Sequence, residues 1–290
     1  MLILENLKKK FSLALINEKG DLKREIKAAE INRPGLALAG FFDYFDQNRI
    51  QLLGLSEISY LESLPLEICR ERFLNFLSLE FPGAIITRGL TLPPFCLELV
   101  TNTTIPFFVT PQKTTWFAGR LGDYLEEKLA PKKVIHGVMV DVSGVGVLIT
   151  GESGIGKSEV ALELIKRGHR LVADDAVLLT RLGDSLIAEA PEKIRNLLEI
   201  RGLGIMDVKH LYGVEALKLK QTVNLNLHLL TWEQYRELPR IPDPEDGVWY
   251  LDVKVPRITI PVKPGRNLAG IVEAAALNFR VEKVRENDEN

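Results

Sequence analysis

Between Val145 and Arg167 the chain reads VGVLITGESGIGKSEVALELIKR. An apolar run leads into the turn Gly151-Glu152-Ser153-Gly154-Ile155-Gly156, which closes on Lys157 and Ser158 and opens an amphipathic helix. The spacing is that of a phosphate-binding loop between a strand and a helix. Gly151, Gly154 and Gly156 allow backbone N–H groups to curl around phosphate oxygens where a β-carbon would intrude. Lys157 adds a mobile charge for the β- and γ-phosphates, the Ser158 hydroxyl suits Mg²⁺, and the helix turns its positive end toward the anion. Nucleotide or polyphosphate binding follows.

At 290 residues the chain is long for a single core, so two domains are expected. Lys and Arg number 37 against 39 Asp and Glu, a net charge of -2, which leaves no broad basic surface for nucleic acid or an anionic membrane. Partners should be small anions or proteins. The two cysteines, Cys69 and Cys96, sit in apolar surroundings and read as buried thiols of a reducing compartment. The N-terminus is apolar first (Met1-Leu2-Ile3-Leu4) and basic second (Lys8-Lys9-Lys10), the reverse of a secretory signal, and no run approaches a membrane span. The chain therefore reads as soluble and cytoplasmic.

Alternating short apolar runs and helical patterns predict a small α/β domain over residues 1–130. Strands are expected at Leu13–Ile16, Gly35–Phe42, Ile50–Leu53, Ala84–Ile86 and Phe107–Val109, and helices at Glu57–Ser63, Glu71–Leu79, Pro94–Val100 and Thr114–Leu129. Ala130-Pro131-Lys132-Lys133 reads as a polar break and places a boundary there, with the second domain over 131–290. That domain opens with a hairpin around Ser143-Gly144 feeding the phosphate loop, which implies a sheet of mixed direction. A strand at Arg170–Ala173 delivers Asp174 and Asp175, a second hairpin turns at Gly183-Asp184, and a glycine-bearing loop covers Ile200–Gly204. A strand at Arg257–Val262 leads to a final helix from Asn267 to Phe279, after which the charged residues from Arg280 onward are expected to fray.

Phosphoryl transfer needs Mg²⁺ ligands, an acceptor for the nucleophile's proton and positive charge on the moving phosphoryl. Asp174 and Asp175, at a strand end, are expected to face the phosphates together, and their mutual repulsion to raise one of the two pKa values toward one useful for a base. Glu199 is a further Mg²⁺ ligand candidate, Arg201 a phosphate contact, and Arg266 in Pro264-Gly265-Arg266-Asn267 an anion contact or part of a simple turn. By themselves His136 reads as structural and Arg240, among prolines, as uninformative.

Together the strings Ile135-His136-Gly137, GESGIGKS at Gly151–Ser158, RGHRLVADD at Arg167–Asp175, LEIRGLGI at Leu198–Ile205 and PVKPGRN at Pro261–Asn267 resemble the HPr kinase/phosphorylase family. The likeness extends into the first part at Ile31-Asn32-Arg33-Pro34-Gly35 and Gly40–Phe45. The resemblance implies a kinase core related to that of phosphoenolpyruvate carboxykinase, a homo-hexamer, and ATP-dependent phosphorylation of a serine of the phosphocarrier HPr, reversed by phosphate to release pyrophosphate. It places His136, Lys157 and Asp175 on catalytic positions beside Asp174, Ser158 and Glu199 on Mg²⁺ positions, and Pro261–Arg266 on a stretch tied to dephosphorylation. Arg240 is matched to a catalytic arginine only by its distance from Trp232. Mg²⁺ and ATP are the implied cofactor and donor, with pyrophosphate the other candidate donor. The rival readings are a kinase of this fold acting on another serine or a small hydroxyl compound, and a nucleotide sensor without turnover.

Overall fold

The computed structural model describes residues 1–236, 247–263 and 265–288. The chain divides into two compact units, Met1–Ala130 and Pro131–Asn290. The first contains α1 (Leu4–Phe11), β1 (Ala14–Leu15), β2 (Ile31–Asn32), α2 (Gly35–Leu38), β3 (Ile50–Leu53), α3 (Leu55–Ser63), α4 (Leu66–Leu77), β4 (Ala84–Ile86), α5 (Pro94–Asn102), β5 (Phe107–Val109) and α6 (Thr114–Leu129). Its sheet runs β1-β5-β4-β3-β2, parallel except for β1. Successive residues face opposite sides, as the pleat demands. Phe107, Ile86 and Leu53 join Phe73, Phe76 and Phe81 on one face, while Phe108, Ile85 and Leu52 join Leu121 and Leu125 on the other. Cys69 and Cys96 are free and buried, with their Sγ atoms 3.6 Å apart.

One reading of this unit requires correction, and one helix carried no reading at all. Gly35–Phe42 is not a strand: α2 occupies Gly35–Leu38, buries Ala37 and Leu38, and gives way to a turn at Gly40 (φ +96°). Apolar content alone does not separate a short helix from a strand, and Pro34 restricts φ to a value compatible with helix entry. Helix α1 was hidden beneath its lysines, although Leu4 and Leu7 bury one side of it.

The second unit contains β6 (Lys132–His136), β7 (Val138–Val142), β8 (Val145–Gly151), α7 (Lys157–Lys166), β9 (Arg170–Ala173), β10 (Ala176–Leu182), β11 (Ser185–Glu189), β12 (Leu197–Ile200), β13 (Gly204–Asp207), α8 (Val208–Tyr212), β14 (Lys220–Thr222), β15 (Leu225–Thr231), α9 (Trp232–Arg236), β16 (Gly247–Tyr250), β17 (Val253–Val262) and α10 (Leu268–Asp288). Its main sheet runs β16-β17-β15-β8-β7-β9 and is mixed. Val138, Val140, Val147 and Ile149 pack on one face with Val160, Ala161 and Leu164 of α7 and Val272 of α10. Met139, Leu148 and Val172 face the other way, toward Val177, Leu179 and Leu186 of the second sheet, β14-β11-β10-β6. Burial on both faces explains why β7 and β8 read as nearly unbroken apolar runs.

Strand direction places the site. β8, β15 and β17 are mutually parallel, and β9, antiparallel to β7, points the same way as β8. The ends of β8 and β9, at Gly151 and Ala173, therefore lie at one sheet edge.

Here too the expectations are amended in two places. Lys132 and Lys133, read as part of a polar break, open an exposed strand, Lys132–His136, paired with β10 from Ala176 opposite His136 to Thr180 opposite Lys132. An edge strand with exposed lysines carries no core signal to read. The charged C-terminal stretch continues α10 to Asp288 instead of fraying at Arg280; Arg, Glu and Lys are good helix formers, and Asn278 Nδ2 donates to Glu282 Oε1 at 2.7 Å across one turn. Among the described residues no helix is long and apolar enough to cross a membrane.

Candidate active site

Gly151 (φ +146°), Gly154 (φ +80°) and Gly156 (φ +104°) all take the left-handed backbone conformations that the loop requires. A β-carbon at Gly151 would meet Leu229 O at 2.6 Å, and one at Gly154 would lie 3.0 Å from Arg201 Nη1. Helix α7 begins at Lys157 with Gly156 as its cap, and among the described residues no side chain caps the N–H groups of its first turn. Its leading N–H groups therefore face a cleft of about 210 Å³ lined by His136, Lys157, Ser158, Asp174, Asp175 and Glu199, with Arg201, Glu159 and the loop residues Ser153, Gly154 and Gly156 around it.

Lys157 is nearly buried, and its Nζ donates to the loop carbonyls of Gly151 (3.0 Å) and Glu152 (2.8 Å). Burial lowers its pKa, and the charges of Asp174, Asp175 and Glu159 oppose that shift. The ammonium is thus held over the glycine turn within reach of an anion seated there.

The paired aspartates adopt distinct roles. Asp174 is 4% exposed. Its Oδ1 accepts the Ser158 hydroxyl at 2.8 Å and its Oδ2 accepts the Glu199 backbone N–H at 2.9 Å, so it ties α7 to β12. Asp175 adopts φ +66°, the chain turns there, and its side chain is 65% exposed. Asp175 Oδ1 lies 3.1 Å from His136 Nδ1, and that nitrogen is also 3.0 Å from the Asp175 carbonyl oxygen. With two acceptors before it, Nδ1 carries the imidazole proton. The carboxyl of Asp174 is pushed above its ordinary value chiefly by burial, which outweighs the Glu199, Ser158 and Asp175 hydrogen-bond donors; repulsion from Asp175 is the smallest contribution. The expected mechanism of mutual repulsion is therefore replaced by desolvation.

Ser158, Asp174 and Glu199 bring only oxygen donors to the cleft, a hard set that suits Mg²⁺. Among the described residues no three His, Cys, Asp or Glu side chains form a cation cage. Because the Ser158 hydrogen is directed at Asp174, its oxygen lone pairs remain for a cation.

Not every predicted residue joins this cleft. Gly151, Glu152 and Ile155 shape the loop without lining the cleft, the first two through the carbonyls that hold Lys157. Arg266 lies in a separate open cleft with Trp232, Tyr235, Pro261, Lys263 and Gly265, and its Nη1 donates to Pro261 O at 3.2 Å. Arg240 lies outside the described residues. Glu159 was missed; an acidic residue in a first helical turn carries no signal that separates a dipole partner from a site residue.

Residues 2–125 match the family model described as HPr Serine kinase N terminus, and residues 127–289 the one described as HPr Serine kinase C-terminal domain. The chain belongs to the HPr kinase/phosphorylase family. It is 47% identical over 276 residues to the HPr kinase/phosphorylase of Bacillus licheniformis, covering 95% of this chain and 89% of that one. With the Bacillus subtilis HPr kinase/phosphorylase the identity is 42% over 281 residues, 97% of this chain and 91% of the other. Among solved structures, the Hpr(Ser) kinase/phosphatase from Coxiella burnetii aligns with 54% of this chain and 96% of that one, at 35% identity and a TM-score of 0.49. The family member described here is accordingly an enzyme with kinase and phosphorylase chemistry.

Proposed function

We propose that the second unit phosphorylates a serine of HPr with Mg-ATP and, in reverse, uses inorganic phosphate to remove the phosphoryl group and release pyrophosphate. The observation that carries this reading is the convergence of the glycine loop, Lys157, Asp174 and Asp175 on one cleft. A sensor that only binds nucleotide has no need of an exposed carboxylate oriented by a histidine beside the phosphate cradle.

In the kinase direction the loop N–H groups and Lys157 hold the polyphosphate and stabilise charge as it spreads over the moving phosphoryl. Mg²⁺, when bound, neutralises phosphate charge; Ser158 and Glu199 would hold it, with Asp174 orienting both through its two hydrogen bonds. Asp175 takes the proton of the attacking serine hydroxyl. Asp174 is occupied by Ser158 and the Glu199 N–H, whereas the Asp175 side chain is open to the cleft, and His136 holds it there.

In the phosphorylase direction a phosphate oxygen attacks phosphoserine and a P–O–P bond forms as the serine P–O bond breaks. Protonated Asp175 returns its proton to the departing serine oxygen. Arg266, on the stretch that the family resemblance ties to dephosphorylation and set in its own cleft, would gather the phosphoprotein. Family likeness supports a homo-hexamer, and the free thiols Cys69 and Cys96 support a cytoplasmic setting.

The deciding experiment gives the protein HPr with labelled ATP, then phospho-HPr with phosphate. Label on an HPr serine and pyrophosphate as the second product are expected. Transfer to a small hydroxyl compound in place of HPr, nucleotide binding without transfer, or release of phosphate alone would overturn the reading.

A further inference from the structure

Gln234 lies on α9, outside the cleft, yet it reaches the phosphate-binding loop. Its Oε1 accepts the Thr231 backbone N–H at 3.0 Å, and Thr231 Oγ1 accepts the Gln234 backbone N–H at 3.3 Å. This is a reciprocal cap on the first turn of α9. The amide nitrogen of the same side chain then donates to Glu152 Oε1 at 2.7 Å. The partners fix the orientation of the amide: a backbone N–H must meet its oxygen and a carboxylate must meet its nitrogen.

Glu152 is the second residue of the loop, and its backbone carbonyl accepts Lys157 Nζ at 2.8 Å. One side chain thus spans from the helix cap to the residue whose carbonyl holds the loop lysine. Capping needs only the oxygen of Gln234, and a glutamate would serve equally. The nitrogen performs a separate task, a short bond to a charged acceptor.

We propose that Gln234 is a positioning residue for the phosphate-binding loop: by holding the Glu152 carboxylate it sets the loop carbonyl that anchors Lys157, and through it the affinity of the cradle for nucleotide phosphates. The inference rests on the reading of this loop as the ATP site. It acts on binding, so KM for ATP should change while kcat does not.

The chemistry of the pair supplies its own control. Gln234→Glu keeps the capping oxygen but sets a second carboxylate against Glu152. Glu152→Gln in the same protein restores a donor–acceptor pair with its polarity reversed. ATP affinity by titration calorimetry, KM and kcat for transfer, and the thermal midpoint are measured on the full chain. Gln234→Glu is expected to weaken ATP binding and raise KM about fivefold, with kcat within about twofold and the midpoint unchanged, and the double variant to return to within about twofold of wild type. Wild-type ATP affinity in Gln234→Glu, or a defect that persists in the double variant, overturns the inference. If the single variant does not fold, the double variant decides alone: near wild-type affinity supports the pairing and a weakened one refutes it. A wild-type chain that binds no ATP fails the functional reading and the inference together, whereas ATP binding that is indifferent to Gln234→Glu removes only the inference.

Discussion

The turns from β3 into α3 and from β8 into α7 both lead from a parallel strand into a helix, and they treat the helix N-terminus in opposite ways. After β3, the nearly buried carboxylate of Glu57 folds back on the start of α3, accepting the Gly54 N–H at 2.9 Å and Arg33 Nη2 at 2.8 Å. A β-carbon at Gly54 would meet Thr114 Oγ1 at 2.8 Å, so this turn is packed shut. After β8, among the described residues no side chain caps the N–H groups of the first turn of α7, and a β-carbon at Gly156 would meet only Glu159 Oε2, at 4.0 Å. Both helix ends favour an anion. Each helix has a glutamate in its third position, but only Glu57 turns back onto the N-cap N–H; the end of α7 is left open, where the proposed reading seats a phosphate.

The comparison breaks most sharply at Lys157. Replacing it with alanine removes the ammonium over the open turn, and transfer in both directions is expected to fall by about 10³ or more, with ATP binding greatly weakened. Coupled measurement of nucleotide binding and turnover checks this; activity near wild type would mean the open turn is not the reaction site. Asp175→Asn comes next. The amide keeps the shape but cannot take a proton, so kcat should fall about 10² while ATP affinity holds within about threefold. A larger rate defect in Asp174→Asn, with the magnesium requirement unchanged, would move the base one residue back.

Arg266→Ala leaves the loop intact and removes the cation proposed to gather the phosphoprotein, whose phosphoserine must be brought to a second anion only in the reverse reaction. Phosphorolysis is expected to drop about tenfold more than kinase turnover, and equal loss in the two directions would refute a direction-specific role. The smallest effect belongs to the closed turn. Glu57→Ala should cost about 1–2 kcal/mol by leaving the Gly54 N–H and Arg33 without their acceptor, measured by urea unfolding, with ATP affinity unchanged. A weakened ATP affinity would show that the first unit's turn is not a purely internal device.

The legible parts of this fold are those whose information is local. The phosphate loop, the hairpin around Ser143-Gly144 and the hairpin at Gly183-Asp184 each announce themselves through glycine spacing between apolar runs, because a positive φ restricts residue choice at the turn itself. β6 was illegible because an exposed edge strand needs no apolar residues, and α2 because a single apolar turn of helix has too few residues to show a period.

The sequence by itself determined the phosphate-loop backbone: the glycines, a lysine and a helix start are contiguous, so their geometry is settled within a few residues. Only the tertiary structure decided how the remaining groups divide the work. Asp174 and Asp175 are adjacent in sequence, yet one is buried against Ser158 and the Glu199 N–H while the other, turned by its φ of +66°, stands open beside His136. His136 reaches it because β6 pairs with β10, and Glu199 because β12 packs on α7. Proton affinity and availability depend on burial and on partners brought from tens of residues away, and those follow from strand order and packing, which no local pattern encodes.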